Sequence, residues 1–214
     1  MAKREKFTTP KGTFIFPKLT EPDYKFKENG EYSLKLRLDG EDAKELKQQL
    51  ESRRDEWVAE WKKDNKKKPK VADLSCTEVV DDEGNETGEM DFKFSMPARV
   101  KTQAGKEFDL SPKLFDSKGK PIPKGTQIWG NSVGRVAYWI RNYEAPIGVG
   151  IALKLEAVQV IELVGPETQS ADSFGFGEED GFEAPDEPQE TPDEDPAPES
   201  EPASSDNGDD DPDF

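Results

Sequence analysis

The chain has 214 residues, with 30 Lys/Arg against 47 Asp/Glu, a single cysteine and no histidine, which excludes an internal disulfide and any histidine-built metal or acid–base site. Its formal charge of −17 is unevenly spread, because residues 165–214 hold 19 Asp/Glu and no Lys/Arg whereas residues 1–164 carry 30 Lys/Arg against 28 Asp/Glu. A near-neutral body and a polyanionic tail are therefore read separately, and the net charge does not exclude nucleic acid as a partner of the body.

Residues 1–7 are charged with no apolar run behind them, and no stretch approaches the roughly 20 apolar residues that span a membrane. The expectation is a protein that stays where it is made, without membrane contact, in a reducing cytoplasm that suits the lone Cys76. A first strand is expected over 12–17. A second follows where Tyr32, Leu34, Leu36 and Leu38 alternate with Ser33, Lys35 and Arg37, so that Lys35 and Arg37 face outward.

Between residues 41 and 63 the period changes. Leu46, Leu50, Trp57 and Trp61 fall on one face at helical spacing, which predicts a single helix capped by Asp39, with both tryptophans in core packing. The lysine-rich run 62–70 that follows reads equally as a solubilising linker or as a phosphate-contacting loop. Strands are expected at 74–80 and where Met90, Phe92, Phe94 and Met96 alternate with Asp91, Lys93 and Ser95. The turn between them carries Asp81, Asp82 and Glu83 and reads as a solvated hairpin rather than a metal site.

Further strands are expected at 105–110, at 127–142 with a break near 130–134, and at 148–164, with turns at Ala104-Gly105 and around Gly119. Five or more antiparallel strands with one inserted helix make a mainly β protein, a small barrel or sandwich. The OB-fold is the commonest barrel with that inventory, although strand count alone does not separate it from others. The domain organisation expected is a body over 1–164 and a tail over 165–214. The tail contains no Val, Ile, Leu or Met and eight of the 17 prolines, so it cannot bury enough apolar area to offset its ordering entropy and is expected to be disordered.

No residue set assembles a catalytic centre: there is no phosphate-cradling glycine loop, no nucleophile elbow and no His for a base. The reading is of a non-enzyme without a cofactor. The segment 135–143 gives a different signal. Alternation sets Val136, Tyr138 and Ile140 on one face and Arg135, Trp139, Arg141 and Tyr143 on the other. Two guanidiniums interleaved with two aromatic rings match the way single-stranded nucleic acid is gripped, bases on rings and phosphates on cations. The competing reading makes Trp139 and Tyr143 part of a second small core or a dimer contact. Lys35, Arg37 and Lys93 are placed around the same groove as candidate DNA-binding residues.

In order along the chain, Pro22-Asp23-Tyr24, Gly30-Glu31-Tyr32, the lysine stretch before Asp73, Phe92-Lys93-Phe94, Asp116 to Lys120, Tyr138 to Tyr143, Gly148-Val149-Gly150, Leu153 to Glu156 and the terminal Asp213-Phe214 resemble the single-stranded DNA-binding proteins of T-odd (podovirus-type) bacteriophages. The resemblance implies an OB-fold with an acidic C-terminal tail and a role for the aromatic at the place of Tyr143 in DNA binding. Trp139 and Arg141 depart from the family's less distinctive residues there. It further implies action in phage DNA replication, recombination and repair in the host cytoplasm. The tail's last acidic residues Asp209, Asp210, Asp211 and Asp213, with Phe214, would then recruit a replicative DNA polymerase or helicase-primase, and a homodimer is a common state. The tethered polyanion would also compete with DNA for the groove. The rival readings are an acidic chaperone or DNA mimic that binds basic partners, and an RNA-binding OB protein.

Overall fold

The computed structural model describes residues 4–25, 27–65, 68–102 and 105–165, all within one unit, Met1–Phe176. The expected disorder of the tail and its terminal contacts lie outside the described residues. Ten strands and one helix run β1 (Phe7–Thr8), β2 (Gly12–Asp23), β3 (Glu31–Leu38), α1 (Gly40–Asp64), β4 (Cys76–Val80), β5 (Glu86–Pro97), β6 (Arg99–Lys101), β7 (Glu107–Asp109), β8 (Lys113–Phe115), β9 (Val133–Ala145) and β10 (Gly148–Glu162).

Five of these strands close on themselves in the cyclic order β2–β3–β5–β10–β9, returning to β2. Every joint is antiparallel except β5 with β10, which is parallel, so the all-antiparallel set expected from the sequence acquires one parallel pair. The ring is the five-stranded OB barrel. Its last joint, β9 to β2, is short: Gly12 pairs with Gly134 and Thr13 with Val133. A Cβ on Gly134 would lie 2.1 Å from the Gln159 carbonyl oxygen and one on Gly12 would lie 2.4 Å from that of Arg37, so only glycines let the backbones meet and the barrel close.

Alternation decides what fills the barrel. Phe14, Leu34, Leu36, Phe92, Phe94, Val136, Leu155 and Val158 point inward and are at most 1 % exposed, each contributing roughly 1.5–3 kcal/mol by burial. The helix seals one end, with Ala43, Leu46 and Leu50 in that same core. Beyond it Val58, Trp61 and Val149 form a second small cluster on which Trp57 packs, as the helical spacing of the two tryptophans predicts. Asp39 does not cap with its side chain. Gly40 takes φ +50° and redirects the chain there, so that Ala43 N–H donates to the Asp39 carbonyl oxygen instead.

The acidic turn is a hairpin, as expected: the Asp81 carboxylate accepts the backbone N–H groups of Glu83 and Asn85, and these hydrogen bonds hold its pKa below the ordinary value. Three short strands, β1, β6 and β8, have no counterpart in the sequence reading, because two or three residues carry no readable period. The first strand also runs six residues longer than expected, and its register slips between Ile15 and Lys18. Within that bulge Phe16 adopts φ +48°, a left-handed backbone that costs a residue with a side chain about 1–2 kcal/mol.

Candidate nucleic-acid interface

The split of β9 into two faces holds in three dimensions. Val136 and Tyr138 are buried, Ile140 partly so, while Trp139, Arg141 and Tyr143 lie on the outer side of the barrel. Burial lifts the Tyr138 phenol to about 12, which keeps it neutral in the core. The register of the neighbouring strands then builds a continuous outer row: Ser33 on β3 pairs with Ser95 on β5, Ser95 with Lys154 on β10, and Lys154 with Trp139 on β9. One row away toward the helix, Lys35 faces Lys93 directly and Ala152 faces Arg141. A row further, Gly150 faces Tyr143.

Four cations, Lys35, Lys93, Lys154 and Arg141, therefore share this outer face with two aromatic rings. None of the four makes an ion pair with a described carboxylate. Lys35 and Lys93 are directly opposed like charges, an arrangement that destabilises a sheet on its own. The Lys154 pKa is lowered, first by burial and then by the charge of Arg141. A bound polyanion relieves both strains, since phosphate oxygens between the cations offset the repulsion and the desolvation.

Arg37 differs. Its Nε donates to Asp91 Oδ1 at 2.8 Å and its Nη2 to Asp91 Oδ2 at 3.3 Å, with Glu89 3.9 Å from Nη1. The guanidinium is thus already paired inside the protein, and Asp91, which alternates with the core residues of β5, is only 8 % exposed beneath it. Arg135 is exposed on the same side as Trp139 but four residues away along β9, roughly 13 Å, opposite Gln159 and beside β8. The structure brings Lys35, Lys93, Trp139, Arg141 and Tyr143 together, sets Arg135 apart, and leaves Asp209, Asp210, Asp211, Asp213 and Phe214 outside the described residues.

Two contributors escape the sequence reading. Lys154 is one, although the inward alternation of Ile151, Leu153 and Leu155 marks it as outward-facing. The other is Arg4, whose guanidinium carbon lies 4.3 Å from the Trp139 ring centroid, carried there by the pairing of β1 with β9. A third element joins at the other ring. The Tyr143 side chain lies across Gly150, where a Cβ would be 2.9 Å from its hydroxyl oxygen, and Trp57 Nε1 donates to the Tyr143 carbonyl oxygen at 3.4 Å. Beside Gly150, Val149 N–H donates to the Lys70 carbonyl oxygen and Ala72 N–H to that of Val149. This pins the end of the lysine run, with Lys68 and Lys70 exposed, next to the Tyr143 end of the face.

The chain matches the family model described as single-stranded DNA-binding protein, bacteriophage T7, over residues 13–163. Among solved structures it is similar to gp2.5, a single-stranded DNA-binding protein encoded by bacteriophage T7, at 23 % identity with a TM-score of 0.66, covering 85 % of this chain and 100 % of that one. It is similar also to the single-stranded DNA-binding protein of bacteriophage Enc34 in complex with single-stranded DNA, at 14 % identity with a TM-score of 0.55, covering 75 % of this chain and 88 % of that one. No curated protein sequence matches the chain. The match over 13–163 spans the whole barrel, from β2 through β10, and by it the chain belongs to the bacteriophage T7 family of single-stranded DNA-binding proteins.

Proposed function

We propose that the protein coats single-stranded DNA without sequence preference through the outer face of β3, β5, β10 and β9, and that it does so in phage DNA replication, recombination and repair in the host cytoplasm. The observation that carries the reading is the row Ser33–Ser95–Lys154–Trp139, flanked by cations that form no ion pair with a described carboxylate. Lys35, Lys93, Lys154 and Arg141 hold phosphates, Trp139 and Tyr143 stack bases, and neither mode reads base edges. The solved complex of the Enc34 protein with single-stranded DNA supports the same ligand for this barrel. Arg37 shapes the face through Asp91 rather than gripping DNA itself, and Arg135 meets the strand only if it runs on toward β8.

The tail supplies the second half of the function. Its 19 carboxylates and no cations make it a tethered mimic of the DNA backbone that competes for the face. DNA binding frees it, and Asp209, Asp210, Asp211, Asp213 and Phe214 then recruit a DNA polymerase or helicase-primase. Titration of intrinsic tryptophan fluorescence with oligo(dT), oligo(rU) and duplex DNA at two salt concentrations tests the reading. Tightest binding of oligo(dT) supports it. Preference for oligo(rU) makes the protein an RNA binder, and no binding of any of the three leaves the chaperone or DNA-mimic reading.

A further inference from the structure

Phe16 is the most exposed large apolar side chain among the described residues, at 78 %, and it is held in a backbone conformation that suits glycine, φ +48°. Pro17 follows it and biases the preceding residue toward extended backbone, so the local sequence opposes this geometry. Strict alternation from Phe14 would turn Phe16 into the core. The bulge prevents that: Ile15 still pairs with Lys35 and Lys18 with Ser33, leaving Phe16 and Pro17 opposite Leu34 alone and the Phe16 ring outside.

The bulge is clamped on both sides by one loop. Asn131 N–H donates to the Phe14 carbonyl oxygen at 2.9 Å and Phe14 N–H to that of Ser132 at 2.8 Å, while Thr20 Oγ1 donates to the Thr126 carbonyl oxygen at 2.9 Å. A strained, water-exposed aromatic that the surroundings hold so firmly adds little to the stability of the barrel; such outliers cluster at ligand sites. Its place says which ligand. Along β2, Phe16 falls between Ile15, which pairs with Lys35 of the cationic face, and the exposed Lys18, which pairs with Ser33, and these partners lie in the rows of the Lys35–Lys93 and Ser33–Ser95 pairs.

We infer that Phe16 is a third base-stacking ring, at the β2 rim of the face, with Lys18 and Lys35 holding the phosphates on either side of the stacked base. This rests on the proposed face and extends it: the DNA strand crosses from Trp139 and Tyr143 on β9, over β10, β5 and β3, to Phe16 on β2. Neighbouring strands are about 4.8 Å apart, so the path over four of the ring's five joints is an arc of roughly 19 Å around the outside of the barrel, a length that suits the several nucleotides one OB barrel holds.

The test uses the full chain as wild type, Phe16→Gly, Phe16→Tyr and Trp139→Ala, titrated with oligo(dT) of about 16 nucleotides, the upper end of OB site sizes. Phe16→Gly is expected to unfold at the same temperature or higher, because glycine suits the bulge and the ring was already in water. Its affinity for oligo(dT) should fall about tenfold, within the roughly 5- to 150-fold that one stacked base contributes, with the salt dependence unchanged. Phe16→Tyr keeps the ring and should keep the affinity. Wild-type binding by Phe16→Gly beside weakened Trp139→Ala would overturn the inference and leave the face standing, whereas wild-type binding by both would remove the face itself. Equal loss in Phe16→Tyr and Phe16→Gly would show that keeping an aromatic ring does not keep binding, and normal DNA binding with altered sedimentation would make Phe16 a contact between copies. Either result overturns the stacking role.

Discussion

Lys154 shows most directly how a single residue of this face trades stability for binding. Its pKa is depressed by burial and by Arg141, so the folded state binds this proton less tightly than the unfolded chain. Below the folded pKa the charge is carried at a cost; as pH rises from that value to the ordinary 10.5 the cost disappears. Lys154→Met is therefore expected to raise the melting temperature at pH 7, with a gain that shrinks as pH approaches 10.5, and to weaken oligo(dT) binding. Thermal melts across pH and a binding titration check the two halves. A less stable variant would show that the charge is already compensated within the fold. Alternation alone assigned Trp139, Arg141 and Tyr143 to one face, because period 2 is a property of the strand itself. The pairing of Arg37 depends on Asp91, 54 residues away, and the outward turn of Phe16 depends on a bulge, so neither was legible.

At the level of elements, the face is made by strand register and held by what packs behind it. The β9–β10 hairpin sets Trp139 against Lys154 and Tyr143 against Gly150, and the helix anchors the Tyr143 end through Trp57. Gly150→Val would drive a side chain into both the Tyr143 ring and the Ala72 Cβ, 2.9 Å from the new Cβ. The ring and the segment carrying Lys68 and Lys70 must then move. A fall in oligo(dT) affinity comparable to that of Tyr143→Ala is expected, checked by titration alongside circular dichroism to show that the barrel remains. The long strands and the helix were readable because their apolar residues repeat at 2 and 3.6 over many positions. The parallel joint of β5 with β10 was not, since the Ser95–Lys154 pairing follows from the closure of the ring and leaves no local pattern.

For the whole molecule, charge is the organising variable. The net −17 conceals a cationic face, and the tail that dominates the total is the natural competitor for it. Removing residues 165–214 is expected to raise affinity for oligo(dT) and to steepen its response to salt, because in the full chain added salt weakens the competing tail as well as the DNA and the two effects partly offset; equal affinity in both forms would remove the competition. The four phosphate contacts of the proposed face, by Lys35, Lys93, Lys154 and Arg141, predict a slope of log affinity against log salt of about −3 for a single strand once the tail is absent, and Lys18 at the β2 rim brings it to about −3.5. The base-stacking part persists at higher salt, at roughly 1–3 kcal/mol per base. The central claim is that one outer face carries both terms, and the double variant Trp139→Ala/Tyr143→Ala isolates the stacking term. Titrated with oligo(dT) at high salt, it should lose most of its affinity while keeping the folded barrel by circular dichroism and the wild-type salt slope. Wild-type affinity in that variant would contradict the account and place the DNA elsewhere on the barrel.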